Sequence, residues 1–286
     1  MADVGQLRRC AYCGLLVTRL ILVRHGESNT TVQRRIGGFR TCTGLSPLGR
    51  LQAGRLRDRW ADGTDVCADV LISSQFARAR ETAEIIAPAL RNLPIEVIDG
   101  FGEHDPGVDC DGITFDEFVE RYGHRDWESD PYSIGFPGGE TLAAFHLRVG
   151  EVISKTMDRY EGKTIVVSCH GGVVDAALRQ ALHGPHIGAF DIWTLNTSIT
   201  ELQLVRPGRW KLIRYNDHAH LCGLESETAC DTSTEMVNGP VAEQDSGHGA
   251  EPGSEQGSEQ DSEPGSEQGT DPDSEPAAEA GRRANP

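Results

Sequence analysis

Twice in this chain an apolar run ends abruptly in histidine and glycine: Leu20-Ile21-Leu22-Val23-Arg24-His25-Gly26, and later Ile165-Val166-Val167-Ser168-Cys169-His170-Gly171. Continuous apolar runs of this length suit strands buried in a sheet, and the glycine lets the backbone turn where a side chain would interfere. Two such strands lying parallel bring both histidines to one carboxyl edge, the usual ligand crevice of an open α/β sheet. The first run adds Arg24, whose guanidinium fork matches phosphate oxygens, and a neutral imidazole beside it can act as nucleophile or base. The second leads into a helical pattern through Ala176 to Leu182, whose N-terminal amides suit a phosphate.

The segments between these runs alternate strand and helix. Ser46 and Pro47 predict a helix start, with Leu48, Leu51, Leu56 and Trp60 as its apolar stripe. Val70-Leu71-Ile72 predicts a strand, and a helix through Ile86 follows, with Ser73 and Ser74 as its caps. Arg78 falls in the first turn of that helix, where a bound anion would offset an unfavourable charge at the positive end of the dipole, although by position alone a solvated surface arginine is the commoner reading. Pro94 to Ile98 reads as a strand, Thr114 to Tyr122 as a helix, and Pro137-Gly138-Gly139 introduces a helix running to about Tyr160. Thr197 to Val205 and Trp210 to Tyr215 read as a closing pair of strands. Gly37 to Leu45 has the composition of a loop over a site, and Cys110 to Tyr132 could also reach over it.

These residues point to phosphoryl chemistry. One imidazole attacks phosphorus while the other, with Arg24, Arg78 and helix amides, binds the oxygens and their growing charge. That scheme needs no metal, and no matching set of carboxylates accompanies the histidines. Cys169 suggests a cysteine phosphatase instead, yet the C-x5-R loop needs arginine six residues later, where Asp175 stands. His183 and His186 fit a helix end and loop better than a ligand pair, and Cys10-Ala11-Tyr12-Cys13 is a lone C-x-x-C with no second pair at zinc-site spacing.

Composition divides the chain of 286 residues into three parts. Residues 1–17 form an N-terminal segment expected to be flexible, 18–221 a catalytic domain, and 222–286 a low-complexity tail rich in Glu, Ser, Gly, Gln, Asp and Pro. From Cys222 on there are 16 acidic and two basic residues, so the tail carries most of the net charge of −17 and the body is close to neutral. A tail of this composition cannot bury enough apolar surface to order itself, and it is expected to be a solvated appendage whose removal leaves catalysis intact. The negative balance disfavours nonspecific binding to nucleic acid or to anionic membranes. No run of about 18 apolar residues and no signal-peptide h-region is found, and the eight cysteines lack a disulfide-like rhythm, so a cytoplasmic location is expected.

The motifs, taken together, resemble the histidine phosphatase superfamily, also called phosphoglycerate mutase-like. Its R-H-G-E/Q-S/T signature is present as Arg24-His25-Gly26-Glu27-Ser28, its S-S-x-x-x-R-A-x-x-T-A segment as Ser73 to Ala83, and its later H-G as His170-Gly171. Leu45-Ser46-Pro47-Leu48-Gly49 and Pro137-Gly138-Gly139-Glu140 are similar to further family segments, and the likeness runs in family order from about Thr18 to Tyr215. The resemblance implies that His25 becomes phosphorylated, that Arg24, Arg78 and His170 complete the phosphate pocket, and that Glu103 protonates the leaving oxygen. Asp105 is the competitor for that last role. Two positions depart from the pattern: Thr31 stands where asparagine is frequent, with Asn29 nearby to compensate, and Gly102 replaces an arginine before the acid. Gly171 is expected beside the bound phosphate.

The expected fold is α/β: a single three-layer domain with a mostly parallel central sheet flanked by helices, plus a disordered acidic C-terminal tail. The expected activity is a metal-independent phosphomonoesterase that needs no cofactor and acts on a small phosphomonoester. A bisphosphoglycerate-dependent phosphoglycerate mutase is the alternative, although Glu120-Arg121-Tyr122-Gly123 lies too far along the chain to match the mutase segment at the general acid. A non-catalytic phospholigand-binding protein with a partner-recruiting tail is a third reading, and a homo-oligomer stays open.

Overall fold

The computed structural model describes residues 17–124, 130–185 and 192–224. In chain order its main elements are β1 (Thr18–Arg24), α1 (Asn29–Val32), α2 (Pro47–Trp60), β2 (Val70–Ser73), α3 (Ala77–Ile86), β3 (Ile95–Val97), α4 (Gly107–Cys110), α5 (Phe115–Tyr122), α6 (Leu142–Arg159), β4 (Thr164–Cys169), α7 (Gly171–Leu182), β5 (Ile199–Arg206) and β6 (Arg209–Asp217). The six strands form one sheet in the order β3-β2-β4-β1-β5-β6. The first four run parallel, and β5 and β6 close the sheet as an antiparallel pair.

Three layers follow from the composition of the central strands. All seven residues of β1 are buried, and neighbouring side chains leave on opposite faces, so both faces need cover. Leu20 and Leu22 pack with Ile165 and Val167 of β4 against Phe145, Val149 and Ile153 of α6 and Val173 and Ala177 of α7. Ile21, Val23 and Val166 pack on the other side against Leu56 and Trp60 of α2 and Ala83 and Ile86 of α3. Shortening one of the fully buried leucines or isoleucines to alanine at such a position costs about 2–5 kcal/mol, a large part of the stability of an ordinary domain.

Local expectations held in most places and failed in three. Ser46 caps α2 and accepts from Gly49 N, and Thr114 forms a reciprocal capping box with Glu117 at the start of α5. The buried stripe of α2, however, is Gly49, Gln52, Ala53, Leu56 and Trp60, whereas Leu51 is half exposed. Close approach decides that rotation, because a Cβ at Gly49 would lie 2.0 Å from the Glu27 carbonyl oxygen. Only the glycine edge of the helix fits there. Ser73 and Ser74 do not cap α3 either: Phe76 is its N-cap and makes no side-chain cap bond, and Ser74 is drawn into the site described below. Finally, Thr197 and Ser198 precede β5 as a turn instead of opening the strand.

The described chain continues past Cys222 to Leu224, whose N–H donates to the Leu221 carbonyl at 2.9 Å. Apart from Val17, the expectation for residues 1–17 and, beyond Leu224, that for the tail concern residues outside those described, as do the readings of Cys10, Cys13 and His186. No described helix is long and apolar enough to cross a membrane.

Candidate active site

Adjacent parallel strands in register bring the two His-Gly elements together. Arg24 lies opposite Cys169 across the β1–β4 ladder, and His25 N donates to the Cys169 carbonyl at 2.9 Å. The rings of His25 and His170 stand edge to face with centroids 5.1 Å apart, both almost fully buried. Nδ1 of His25 is 2.6 Å from the Gly26 carbonyl oxygen. Because a carbonyl can only accept, Nδ1 carries the proton and Nε2 keeps its lone pair. Arg78 Nε donates to that Nε2 at 3.0 Å. His170 Nε2 pairs with Ser74 Oγ at 2.7 Å, and its Nδ1 is buried with no hydrogen-bond partner among the described residues. The Arg24 guanidinium is buried and donates through Nη1 to the Thr194 carbonyl. Gly171 abuts it, since a Cβ there would lie 3.6 Å from Arg24 Nε.

Burial holds both imidazoles well below their ordinary pKa of 6.5, and the neighbouring Arg78 and Arg24 guanidiniums lower them further. Both rings are therefore neutral at neutral pH. Cys169 is a poor rival, because burial pushes its thiol far up and away from the reactive thiolate.

The two motifs flanking His25 and α2 prove to be one structure. Ser46 N donates to the Glu27 carbonyl at 2.9 Å, Ser46 Oγ donates to Glu27 Oε1 at 2.5 Å, and Glu27 N donates to Gln52 Oε1 at 2.9 Å. Gly26 meets Gly49 so closely that a Cβ at 26 would stand 2.5 Å from the Gly49 carbonyl oxygen. The glycines of the two motifs thus serve each other. Above them, the loop from Gly37 to Gly44 covers Arg78, with Gly37 O accepting from Nη1 at 3.2 Å and Cys42 Sγ accepting from Arg78 N at 3.4 Å. Asp111 pins this loop through Gly38 N at 2.9 Å and Arg40 N at 2.8 Å, so the two segments expected over the site are joined to each other. A ladder of rings runs outward from His170 to Phe76 at 4.9 Å and from Phe76 to Phe39 at 5.7 Å.

Glu103 reaches the N-terminus of α7. Its Oε2 accepts from Gly172 N at 3.2 Å and its Oε1 from His104 N at 3.0 Å, and a Cβ at Gly172 would collide with it at 2.3 Å. Asp105 is exposed, and its carboxylate accepts from Gly107 N at 2.9 Å, closing a turn. Asn29 begins α1, and its side-chain amide donates to Thr43 Oγ1 at 3.2 Å in the covering loop. Glu120 to Gly123 ends α5, with Gly123 at φ +75° as the stop, and His183 ends α7 in the left-handed region. No group of three or more His, Cys, Asp or Glu suited to a metal occurs among the described residues.

Several residues at the site carry no signal in the local sequence. Arg148, from the middle of α6, binds the Glu140 carboxylate at 2.8 Å and donates to the carbonyls of Gly100, Gly102 and Glu103 at 3.0–3.2 Å. It anchors the backbone that carries Glu103, in a segment where Gly102 offers no side chain of its own. The stretch from Thr194 to Ser198 holds the end of β1. Asn196 Nδ2 donates to the His25 carbonyl at 2.9 Å, Thr197 N to the Arg24 carbonyl at 2.8 Å, and Arg24 N to the Ser198 carbonyl at 3.3 Å. Thr82 does the same from α3, its Oγ1 accepting from Gly26 N at 3.1 Å.

The depressed histidines make stability depend on pH. His104 and His220, the latter in the turn that follows β6, are lowered as well, both chiefly by burial and His220 to about 4. Unfolded, each imidazole titrates near 6.5, so below that value the unfolded chain binds more protons than the folded one. The thermal midpoint of the protein without substrate is expected to be level above this range and to fall by several degrees as pH drops from 6.5 toward 4. A melting temperature that stays constant across that window would contradict the neutral, buried state of these rings.

The carboxyl edge of the sheet, with Arg78 of α3 beside it, gathers two neutral imidazoles and two guanidiniums in an α/β protein, a set of groups whose chemistry suits an oxyanion. A family model for the histidine phosphatase superfamily (branch 1) matches residues 20–218, and the chain belongs to that superfamily. The uncharacterised phosphatase PhoE of Bacillus subtilis is 30% identical over 208 residues, covering 72% of this chain and 98% of its own. Phosphoserine phosphatase 1 of Hydrogenobacter thermophilus is 33% identical over 176 residues, 61% of this chain and 80% of that one. Among solved structures, YhfR of Bacillus stearothermophilus aligns with a TM-score of 0.63 at 29% identity, over 71% of this chain and 99% of that one. A phosphoserine phosphatase variant of Entamoeba histolytica in complex with phosphoserine aligns with a TM-score of 0.60 at 25% identity, over 71% and 99%.

Proposed function

We propose that the chain is a metal-independent phosphomonoesterase that works through a phosphohistidine on His25 and acts on a small phosphorylated substrate. The observation that carries this reading is the hydrogen bond from His25 Nδ1 to the Gly26 carbonyl, which leaves the Nε2 lone pair directed at the Arg78 guanidinium. In the resting site Arg78 Nε caps that lone pair, and a phosphoryl group entering the pocket takes over the guanidinium donors and frees it. Nε2 then forms a bond to phosphorus while the ester P–O bond breaks. Arg24, Arg78 and the unpartnered Nδ1 of His170 receive the equatorial oxygens, and Glu103 gives its proton to the departing alkoxide. In the second half, the Glu103 carboxylate takes a proton from water as the water oxygen attacks phosphorus and the P–N bond breaks. Inorganic phosphate leaves and His25 returns neutral.

Phosphatases among the relatives support the hydrolytic outcome. We place the enzyme in the cytoplasm, a reading supported by the free thiols of Cys42, Cys67, Cys110, Cys169 and Cys222. The direct test is phosphate release from a panel of phosphomonoesters in EDTA, with 3-phosphoglycerate and its bisphosphate cofactor alongside. Turnover that survives EDTA is expected. Isomerisation of phosphoglycerate faster than any hydrolysis would replace phosphatase by mutase, and no turnover by folded protein would replace it by a binding role.

A protein terminated after Leu224 is expected to keep kcat within about twofold of the full chain, since the acidic low-complexity composition that follows has too little apolar residue content to add to a folded core. A larger loss in the truncated enzyme would bring the acidic tail into the reaction.

A further inference from the structure

Between Leu195 and Ser198 the chain makes a tight turn, with Ser198 N donating to the Leu195 carbonyl at 3.1 Å. Its third residue, Thr197, has φ +56°, the left-handed region in which glycine or asparagine is usual and a β-branched residue is an outlier. This conformation lets one N–H face both carbonyls at the end of β1, Arg24 O at 2.8 Å and His25 O at 3.4 Å. Glycine would adopt the same backbone without strain, so the threonine side chain must contribute something glycine lacks. Thr197 is completely buried, and its Oγ1 is 3.0 Å from Nε2 of His220 in the 3-10 turn Ala219–Leu221. That contact joins the turn after β6 to the strand end that carries His25.

We infer that Thr197 and His220 form a positioning latch for His25. The peptide between His25 and Gly26 is held at its carbonyl by Asn196 and Thr197 and at its N–H by Thr82. Orientation of that peptide and of the Gly26 carbonyl beyond it sets where Nδ1 binds, and so where Nε2 points. In-line attack tolerates little error in that direction, and a displacement of about 1 Å can cost a hundredfold in rate. The strained turn supplies the aim of the Thr197 N–H, and the bond to His220 keeps the turn from relaxing. Neither residue touches the phosphoryl group.

The inference rests on His25 as the nucleophile of the proposed phosphatase, so the test includes a readout that does not require turnover. Four variants are compared in the full chain: Thr197→Val, Thr197→Gly, Thr197→Ser and His220→Ala. The valine, glycine and alanine variants each lack the latch and are expected to lose about tenfold or more in kcat, with KM within about twofold, because the phosphate-binding groups are untouched. The serine variant keeps the hydroxyl and is expected to recover most of kcat. Imidazole nitrogen NMR of His25 should show one fixed Nδ1–H tautomer in wild type and in the serine variant, and exchange broadening in the other three. If wild type shows the fixed tautomer but hydrolyses nothing, the phosphatase reading fails while the latch stands. A glycine or alanine variant with wild-type kcat and a sharp His25 signal would overturn the latch, as would activity lost only in proportion to lost folded protein in thermal melts.

Discussion

Alanine at His25 is expected to lower kcat/KM for phosphomonoester hydrolysis by about 10⁴-fold or more while the protein stays folded. The size of the loss follows from the absence of a substitute. His170 Nε2 is engaged by Ser74 Oγ at 2.7 Å, and the buried Cys169 thiol is held protonated, so neither replaces the lone pair of His25 Nε2. Arg24, Arg78 and His170 would still gather the phosphate. Substrate binding is therefore expected to survive in the variant, with the deficit in kcat, as for an interaction made only in the transition state. Rapid-quench trapping of acid-labile phosphoenzyme should find it in wild type and not in His25→Ala. Activity within tenfold of wild type would place the nucleophile elsewhere.

Glutamine at Glu103 tests proton transfer separately from phosphate binding. The amide keeps the shape of the carboxylate and an oxygen to accept from His104 N or Gly172 N, yet it has no proton to give or take. For an alkyl phosphate, whose leaving oxygen is strongly basic, kcat is expected to fall by about 10²–10⁴-fold. An aryl phosphate with an acidic phenol leaves without help, so its phosphohistidine should form at nearly the wild-type rate. The second half-reaction still lacks its base. Stopped-flow measurement should then show a stoichiometric burst of phenol followed by slow steady turnover. Equal losses in burst rate for the aryl and alkyl substrates would remove Glu103 from the role of acid. Asp105, exposed and closing its own turn with Gly107, would be the next candidate.

Much of the site was legible because its chemistry is concentrated at ends of secondary structure. An apolar run has a definite end, and the residues that follow a buried strand are delivered to a sheet edge whatever the rest of the fold does. That is why Arg24, His25 and His170 could be read from two short stretches and placed at one edge of a parallel sheet, whereas the direct pairing of β1 with β4 in register came from the structure. Arg78 was only half visible: a cation in the first turn of a helix is locally unfavourable and asks for an anion, yet its position fits a solvated surface arginine as well, and it was the family motif that put it in the pocket. Ser74 was legible only as a serine before a helix. Its choice of His170 over the α3 amides depends on β4 lying beside β2, a pairing no local pattern specifies.

The order of strands and helices, the identity of both imidazoles and the arginine fork were thus determined by the chain's own periodicity and residue chemistry, which are local. The rotation of α2, the anchoring of Glu103 by Arg148 and the cradle of Asn196 and Thr197 around the end of β1 were decided only in the tertiary structure. Each of those depends on a close approach between segments tens to more than a hundred residues apart: Gly49 on Glu27, Arg148 on Gly102, and Thr197 on Arg24. A backbone carbonyl is the same group in every residue, so a sequence cannot mark which one a distant side chain or N–H will hold; packing selects it, because a buried carbonyl left without a donor is costly.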